Sequence, residues 1–377
     1  MARENLKPMP MSTLREAMDA NLKLLTFYRI ALAFTVFVSH AFPIFLGKND
    51  PQVPFFWRSS ISFGTFAVGG FFALSGLLLY SSANRLPPRV WIIRRSLRLL
   101  PAYAACLLFC SFVLSPIAVF LQNRNLNDFF NFGPVGPFAY TWNNLFMPVG
   151  ITYALNDSFS TTPYGVLTGG ASVVNGSIWS LPYEIRCYLV LGFVCYLFSY
   201  KFRDKLLPLL TCATFLGYLL SGNTQFQRLV APLWKFSDPL FLQLLSIFLF
   251  GACFGIYAKR ITLNFRLLIA LLILYYFTTF YSELVSTIGI AVVVLIPFVV
   301  GKLFLESFER WNFSLWDISY GFYLYSFPIQ QMTVQLFPNL PFPALILMAL
   351  LATLALSILS YKLIESPAIN FGKSVKL

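Results

Sequence analysis

Long apolar stretches recur from one end of this chain to the other, and they leave few architectures open. A helix needs roughly 20 mostly apolar residues to cross the hydrocarbon core of a bilayer. Stretches of that kind lie near 25–46, 64–82, 99–121, 184–200, 206–221, 239–258, 266–280, 284–304, 317–337 and 344–363. In hydrocarbon every backbone N–H and C=O must find a partner, and an α-helix supplies all of them within one segment. The expected fold is an all-α polytopic membrane protein with about ten transmembrane helices. Composition agrees: 58% of residues are apolar and only 11% are charged, more apolar surface than a 377-residue soluble domain can hide.

Orientation follows from where Lys and Arg fall between the spans. With the N-terminus inside, one side collects Arg3, Lys7, Arg15, Lys23, Arg29, the arginines of 85–98, Lys201, Arg203, Lys205, Lys259, Arg260, Arg266, Lys302, Arg310, Lys362, Lys373 and Lys376. The other side holds Lys48, Arg58, Arg124, Arg186, Arg228 and Lys235. The split of 21 against 6 accounts for all 27 and predicts both termini in the cytoplasm. The net charge of +13 is then topological, and no nucleic-acid partner is expected. Residues 1–24 read as a cytoplasmic segment without a signal-peptide pattern, 25–366 as a single transmembrane domain, and 367–377 as a short cytoplasmic tail. The first span is expected to be a retained signal-anchor. The longest stretch between spans, about 122–178, falls outside, and its Trp142–Pro148 segment is too short to cross alone and reads as a candidate re-entrant piece. Six cysteines, none in a C-x-x-C pair, read as small buried hydrophobes with no metal or disulfide framework.

Ionisable groups inside a membrane are costly and mark candidate sites. Arg29 and the chain's one histidine, His40, are eleven residues apart in the first span. Eleven steps of about 100° return to the same helix face, about 16 Å further along. Taken alone, Arg29 is also explained by snorkelling and His40 by a hydrogen bond to a neighbouring helix. The second span carries Gly69-Gly70-Phe71-Phe72-Ala73-Leu74-Ser75-Gly76, small residues that suit close packing or close approach of a ligand. Arg95 and Arg98 share a helix face before Leu99-Leu100-Pro101, as an anion site or a positive-inside anchor. Glu184, after Trp179-Ser180-Leu181-Pro182-Tyr183, suits a helix N-terminus and a pair with Arg186. Asp317-Ile318-Ser319-Tyr320 and Glu365-Ser366-Pro367 read as helix-end features.

Together and in this order these pieces resemble the acyltransferase-3 family of membrane acyltransferases. The resemblance is carried by the R-x10-H of Arg29 and His40, the Gly-Gly-Phe-Phe…Ser-Gly span, the R-x-x-R of Arg95 and Arg98, Trp-Ser-Leu-x-x-Glu, Ile-Ser-Tyr…Tyr-Leu and the closing Glu-x-Pro. It covers about residues 22–368. One departure is Ser326, which stands where many relatives have a histidine. Some relatives also carry a C-terminal extracytoplasmic hydrolase-like domain, which is not expected here.

The resemblance implies transfer of an acyl group, commonly acetyl from cytoplasmic acetyl-CoA, to a hydroxyl of a cell-envelope glycan or glycolipid such as lipopolysaccharide. It implies a bacterial inner-membrane location, with the lipid bilayer and the acceptor as partners and no metal cofactor. Arg95, Arg98 and Ser75 are expected to bind the donor, since guanidinium forks suit phosphate oxygens. His40, Arg29 and Glu184 are the expected catalytic residues. His40 acts as general base or as acyl carrier, both routes being open, and Glu184 is expected to orient its imidazole. The alternatives are a transporter of a glycolipid or small solute without chemistry, and an acyltransferase for a small-molecule acceptor. Sequence gives neither the acceptor nor the oligomeric state.

Overall fold

The computed structural model describes residues 13–20, 22–51, 61–123, 125–127, 129–146, 151–230, 238–304 and 316–375. Most of the expected N-terminal segment, Met147 and Pro148, and Arg3, Lys7, Arg58, Arg124, Lys235, Arg310 and Lys376 of the orientation count lie outside them. Among the described residues there is no strand, only an isolated bridge between Thr13 and Thr262.

The principal helices are α1 (Leu22–Leu46), α2 (Phe63–Ala83), α3 (Pro88–Phe109), α4 (Leu181–Leu197), α5 (Tyr200–Leu220), α6 (Pro239–Tyr257), α7 (Phe265–Thr278), α8 (Ser282–Leu303), α9 (Ser319–Leu336) and α10 (Phe342–Ser360). A helix therefore lies at each of the ten expected positions. Seven helical segments among the described residues are long and apolar enough to cross a membrane. The shortfall falls on α5, α7 and α9, and each has a physical reason.

Helix α7 has only 14 residues, about 21 Å of helix. Helix α5 begins with Lys201, Arg203, Asp204 and Lys205. Buried Arg203 donates to the Cys195 carbonyl at 3.0 Å and to Asn84, which ties the start of α5 to neighbouring helices. Helix α9 is polar because protein surrounds it. Every residue from Ser319 to Val334 is buried, and several of its polar side chains have partners in other elements. Gln330 donates to the Phe37 carbonyl of α1 at 2.8 Å, and Tyr323 donates to the Ser177 carbonyl at 2.6 Å. Asn175 donates to the Leu324 carbonyl at 2.9 Å. A helix placed in this way does not need the lipid-facing hydropathy by which spans are recognised.

The small residues of the second span serve packing. A Cβ on Gly76 would stand 1.8 Å from the Phe248 carbonyl oxygen of α6, and one on Gly251 would stand 1.9 Å from that of Ala73. Helices α2 and α6 thus touch backbone to backbone through two glycines, the close approach that small residues permit in membranes. The first four residues of the candidate re-entrant segment, Trp142–Leu145, end a nine-residue helix, Pro137–Leu145, held against α3 and its continuation. Tyr103 donates to the Asn144 carbonyl at 3.0 Å, and Ser111 and Thr141 share a hydrogen bond at 2.8 Å. Further along, Thr162 donates to Gln331, so the loop after Pro137–Leu145 closes over the far end of α9.

Candidate active site

Helix α1 presents Arg29 and His40 to the same neighbour, as their spacing predicts. Arg29 bonds Asp317, two residues before α9, and the His40 ring meets the edge of Phe327 at 5.2 Å between centroids. Phe327 stands ten positions after Asp317, about 15 Å at the rise of a helix, close to the separation of Arg29 and His40.

At the Arg29 end lies a cavity of about 510 Å³ among α1, α2, α3, α4 and α9. Arg29, Arg85, Arg95, Arg98 and Lys373 line it, against two carboxylates, Glu184 and Asp317. Ser75, Ser82, Ser180, Tyr188 and Tyr323 add hydroxyl groups. Local structure explains how each arginine arrives. Pro87 and Pro88 open α3, with Pro88 in the first turn where its missing N–H costs nothing. The helix then carries Arg95 and Arg98 inward on one face, and Trp91 and Arg95 both donate to Ser82 of α2, at 3.1 and 3.3 Å. Arg94, on another face, donates to the Gly372 carbonyl at 3.1 Å and fastens the C-terminal helix Ser366–Ser374 alongside α3. That contact brings Lys373 to the cavity.

Arg29 Nη1 and Arg98 Nη2 both reach Asp317 Oδ2, each at 2.7 Å, with side chains 20%, 26% and 22% exposed respectively. Five cations facing two carboxylates leave the lining with an excess of positive charge, which favours anions there. Asp317 was legible in the sequence only as a helix-end feature.

Glu184 lines this cavity and His40 does not. The Glu184 carboxylate accepts from Tyr188, one turn on, hydrogen-bonds Ser75, and faces Arg95 and Arg98. Its expected partnership with His40 is replaced by one with the arginines, because the first turn of α4 opens onto α2 and α3. Arg186, its other expected partner, stacks over the rings of Tyr183 and Phe241 at 5.3 and 5.8 Å.

His40 sits in different surroundings. The residue is half-buried, and its Nδ1 is buried with no hydrogen-bond partner. Phe327 packs between His40 and Tyr164, with centroids 5.2 and 5.3 Å away. The preceding residue, Ser39, donates to Asp50 at 3.0 Å and accepts from the Gly64 amide at 2.9 Å. Burial raises the Asp50 carboxyl above the usual carboxylate range.

The acyltransferase domain family matches residues 25–362, nearly the whole chain, with most of α1 and all of α2 to α10. The chain belongs to the acyltransferase-3 family. A protein of Shigella phage Sf6 named O-acetyl transferase is 30% identical over 241 residues. That match covers 61% of this chain, and the chain spans 61% of the phage protein. No solved structure matches.

With this acyltransferase-3 chain in hand, the family motifs sort by place. Arg29, Ser75, Arg95, Arg98, Glu184 and Asp317 meet at the cavity, and His40 stands alone up the same helix. Ser326, the residue expected to be a histidine in many relatives, is fully buried and donates within its own helix to the Tyr323 carbonyl at 3.2 Å. Glu365 of the Glu-x-Pro motif is 3% exposed in a widened turn, where Ser360 donates to it at 3.0 Å. No group of three or more His, Cys, Asp or Glu arranged to hold a metal ion occurs among the described residues.

Proposed function

We propose that the protein is a bacterial inner-membrane O-acetyltransferase that moves an acetyl group from cytoplasmic acetyl-CoA to a hydroxyl of a cell-envelope glycan or glycolipid. The observation that carries this reading is the pair of sites on one face of α1: a cationic cavity at Arg29, and about 16 Å along, a half-buried histidine whose Nδ1 has no hydrogen-bond partner. Coenzyme A is a polyanion with a long neutral arm ending in a thioester. Its phosphates suit Arg29, Arg95 and Arg98, where guanidinium N–H groups meet phosphate oxygens in pairs. Ser75 and Glu184, joined by a hydrogen bond, set the wall beside Arg95 and Arg98. The arm then runs along the Arg29–His40 face toward the histidine.

In the transfer step, His40 accepts the proton of the acceptor hydroxyl as its oxygen attacks the thioester carbonyl. The carbon–sulfur bond breaks, and the coenzyme A thiolate leaves and takes the proton from the imidazolium. The products are the acetyl ester and the free thiol. The Phe327 ring, with Tyr164 against it, gives the histidine an apolar wall on that side.

The topology expected from the Lys and Arg distribution, ten crossings with both termini in the cytoplasm, is consistent with this division: it would set the cationic cavity toward the side where acetyl-CoA is found and His40 toward the outer side. The phage relative, named an O-acetyl transferase, supports the reaction class and a bacterial setting. Membership of an acyltransferase family favours chemistry over the transport alternative.

The test supplies radiolabelled acetyl-CoA to membranes holding equal amounts of wild-type protein or His40→Ala. Label on glycan or lipid with wild type, lost with the variant, supports the assignment. Label retained on the protein itself marks an acetyl-imidazole intermediate. Equal labelling of acceptor by both proteins removes His40 from the reaction.

A further inference from the structure

The ion pair in the cavity has an unusual economy. One oxygen of Asp317, Oδ2, accepts from Arg29 Nη1 and from Arg98 Nη2 at 2.7 Å each. The other oxygen, Oδ1, accepts from Ser319 Oγ at 2.6 Å. Arg29 belongs to α1, Arg98 to α3, and Asp317 leads directly into α9, so one carboxylate ties three helices at the edge of the cavity. Ser319 is completely buried at the start of α9, so its hydroxyl fixes the plane in which the carboxylate lies.

Two guanidinium groups brought to one point repel each other, more so in a partly buried site than in water. A carboxylate between them offsets that repulsion. Each guanidinium has five N–H donors, and Asp317 takes one nitrogen of each. The other nitrogens of both groups remain for acceptors in the cavity. Other charges bear on Arg98 as well: Glu184 of α4 from across the cavity, and Glu365 from the turn after α10. Neither has a hydrogen bond to Arg29 or Arg98 comparable with the two that Asp317 makes.

We infer that Asp317 is the positioning residue of the donor site, holding the Arg29 and Arg98 guanidiniums side by side so that their remaining N–H groups bind the phosphates of the acyl donor. This rests on the donor reading given above. The opposite role, a carboxylate that occupies the arginines until a phosphate displaces it, conflicts with the anchoring of Oδ1 by Ser319. It also predicts the opposite sign for removing the charge.

The test uses the full chain, purified in lipid nanodiscs, with wild type, Asp317→Asn, Asp317→Glu and Ser319→Ala. Coenzyme A binding is measured by calorimetry, and KM and kcat for acetyl-CoA are measured separately, with thermal unfolding as the control for folding. Asp317→Asn is expected to weaken coenzyme A binding and raise KM by about tenfold or more, with kcat changed by less than about threefold. Asp317→Glu, which keeps the charge, restores part of the affinity. Ser319→Ala, which keeps the carboxylate and frees its orientation, weakens binding by about threefold. If Asp317→Asn is not recovered folded, the Ser319→Ala result decides. Unchanged or tighter binding in a folded variant overturns the inference while leaving the donor reading in place. Failure of wild type to bind coenzyme A overturns both.

Discussion

The two ends of the Arg29–His40 face differ in almost every physical respect. Around Arg29 the side chains are charged and cross-bonded, and five helices converge on one open space. Beside His40 stands the Phe327 ring, with Tyr164 against that ring in turn, and one nitrogen of the imidazole is buried without a hydrogen bond. A cluster of fixed charges is suited to holding an anion and contributes similarly before and during a reaction, which makes it a binding device. An unpaired imidazole suits a group whose protonation must change within the reaction. The contrast argues that binding and chemistry are divided along a single helix and joined by the donor's own arm.

Several substitutions test that division, and the largest effect belongs to the histidine. His40→Ala should lower kcat for acetyl transfer by about 10²- to 10⁴-fold, the range of a lost general base, with KM for acetyl-CoA little changed. Arg98→Ala should act the other way round. Loss of a charge-assisted contact, with Asp317 left short of a partner, should raise KM by about ten- to a hundredfold, with a smaller change in kcat. Initial rates over a range of acetyl-CoA concentrations separate the two patterns, and the same pattern from both variants would break the comparison. Phe327→Leu keeps the site apolar but removes the ring between His40 and Tyr164, and should lower kcat severalfold through a looser imidazole. Ser326→Ala should change activity by less than about twofold, because Ser326 bonds only within its own helix turn. A larger loss in that assay would show that this serine has taken over part of the role of the histidine expected in many relatives.

The reasons why some of this was legible in the sequence, and some not, are physical. Lipid-facing helices announce themselves by hydropathy, so α1, α6 and α10 lie where their apolar runs do. The shared face of Arg29 and His40 follows from helix geometry alone, and their contacts with Asp317 and Phe327 agree with it. Asp317 was hidden because its partners stand 288 and 219 residues away, and no local pattern encodes such a contact. Glu184 was expected to orient His40, a pairing between two helices that no local pattern encodes. The first turn of α4 instead reaches Ser75 of α2 and the arginines of α3. Depth in a bundle depends on tilt and packing, which a run of apolar residues does not specify. The backbone contact between Gly76 and Gly251 is a middle case: the small residues were visible, and which helix they touch was not.

The most direct test of the division between binding and chemistry is the affinity of the purified protein for coenzyme A, measured by calorimetry for wild type, His40→Ala and Arg98→Ala. The account predicts that His40→Ala binds coenzyme A as wild type does, while Arg98→Ala binds at least about tenfold more weakly. Weakened binding in His40→Ala, with Arg98→Ala unaffected, would contradict it and move the donor's anionic end away from the arginine cavity.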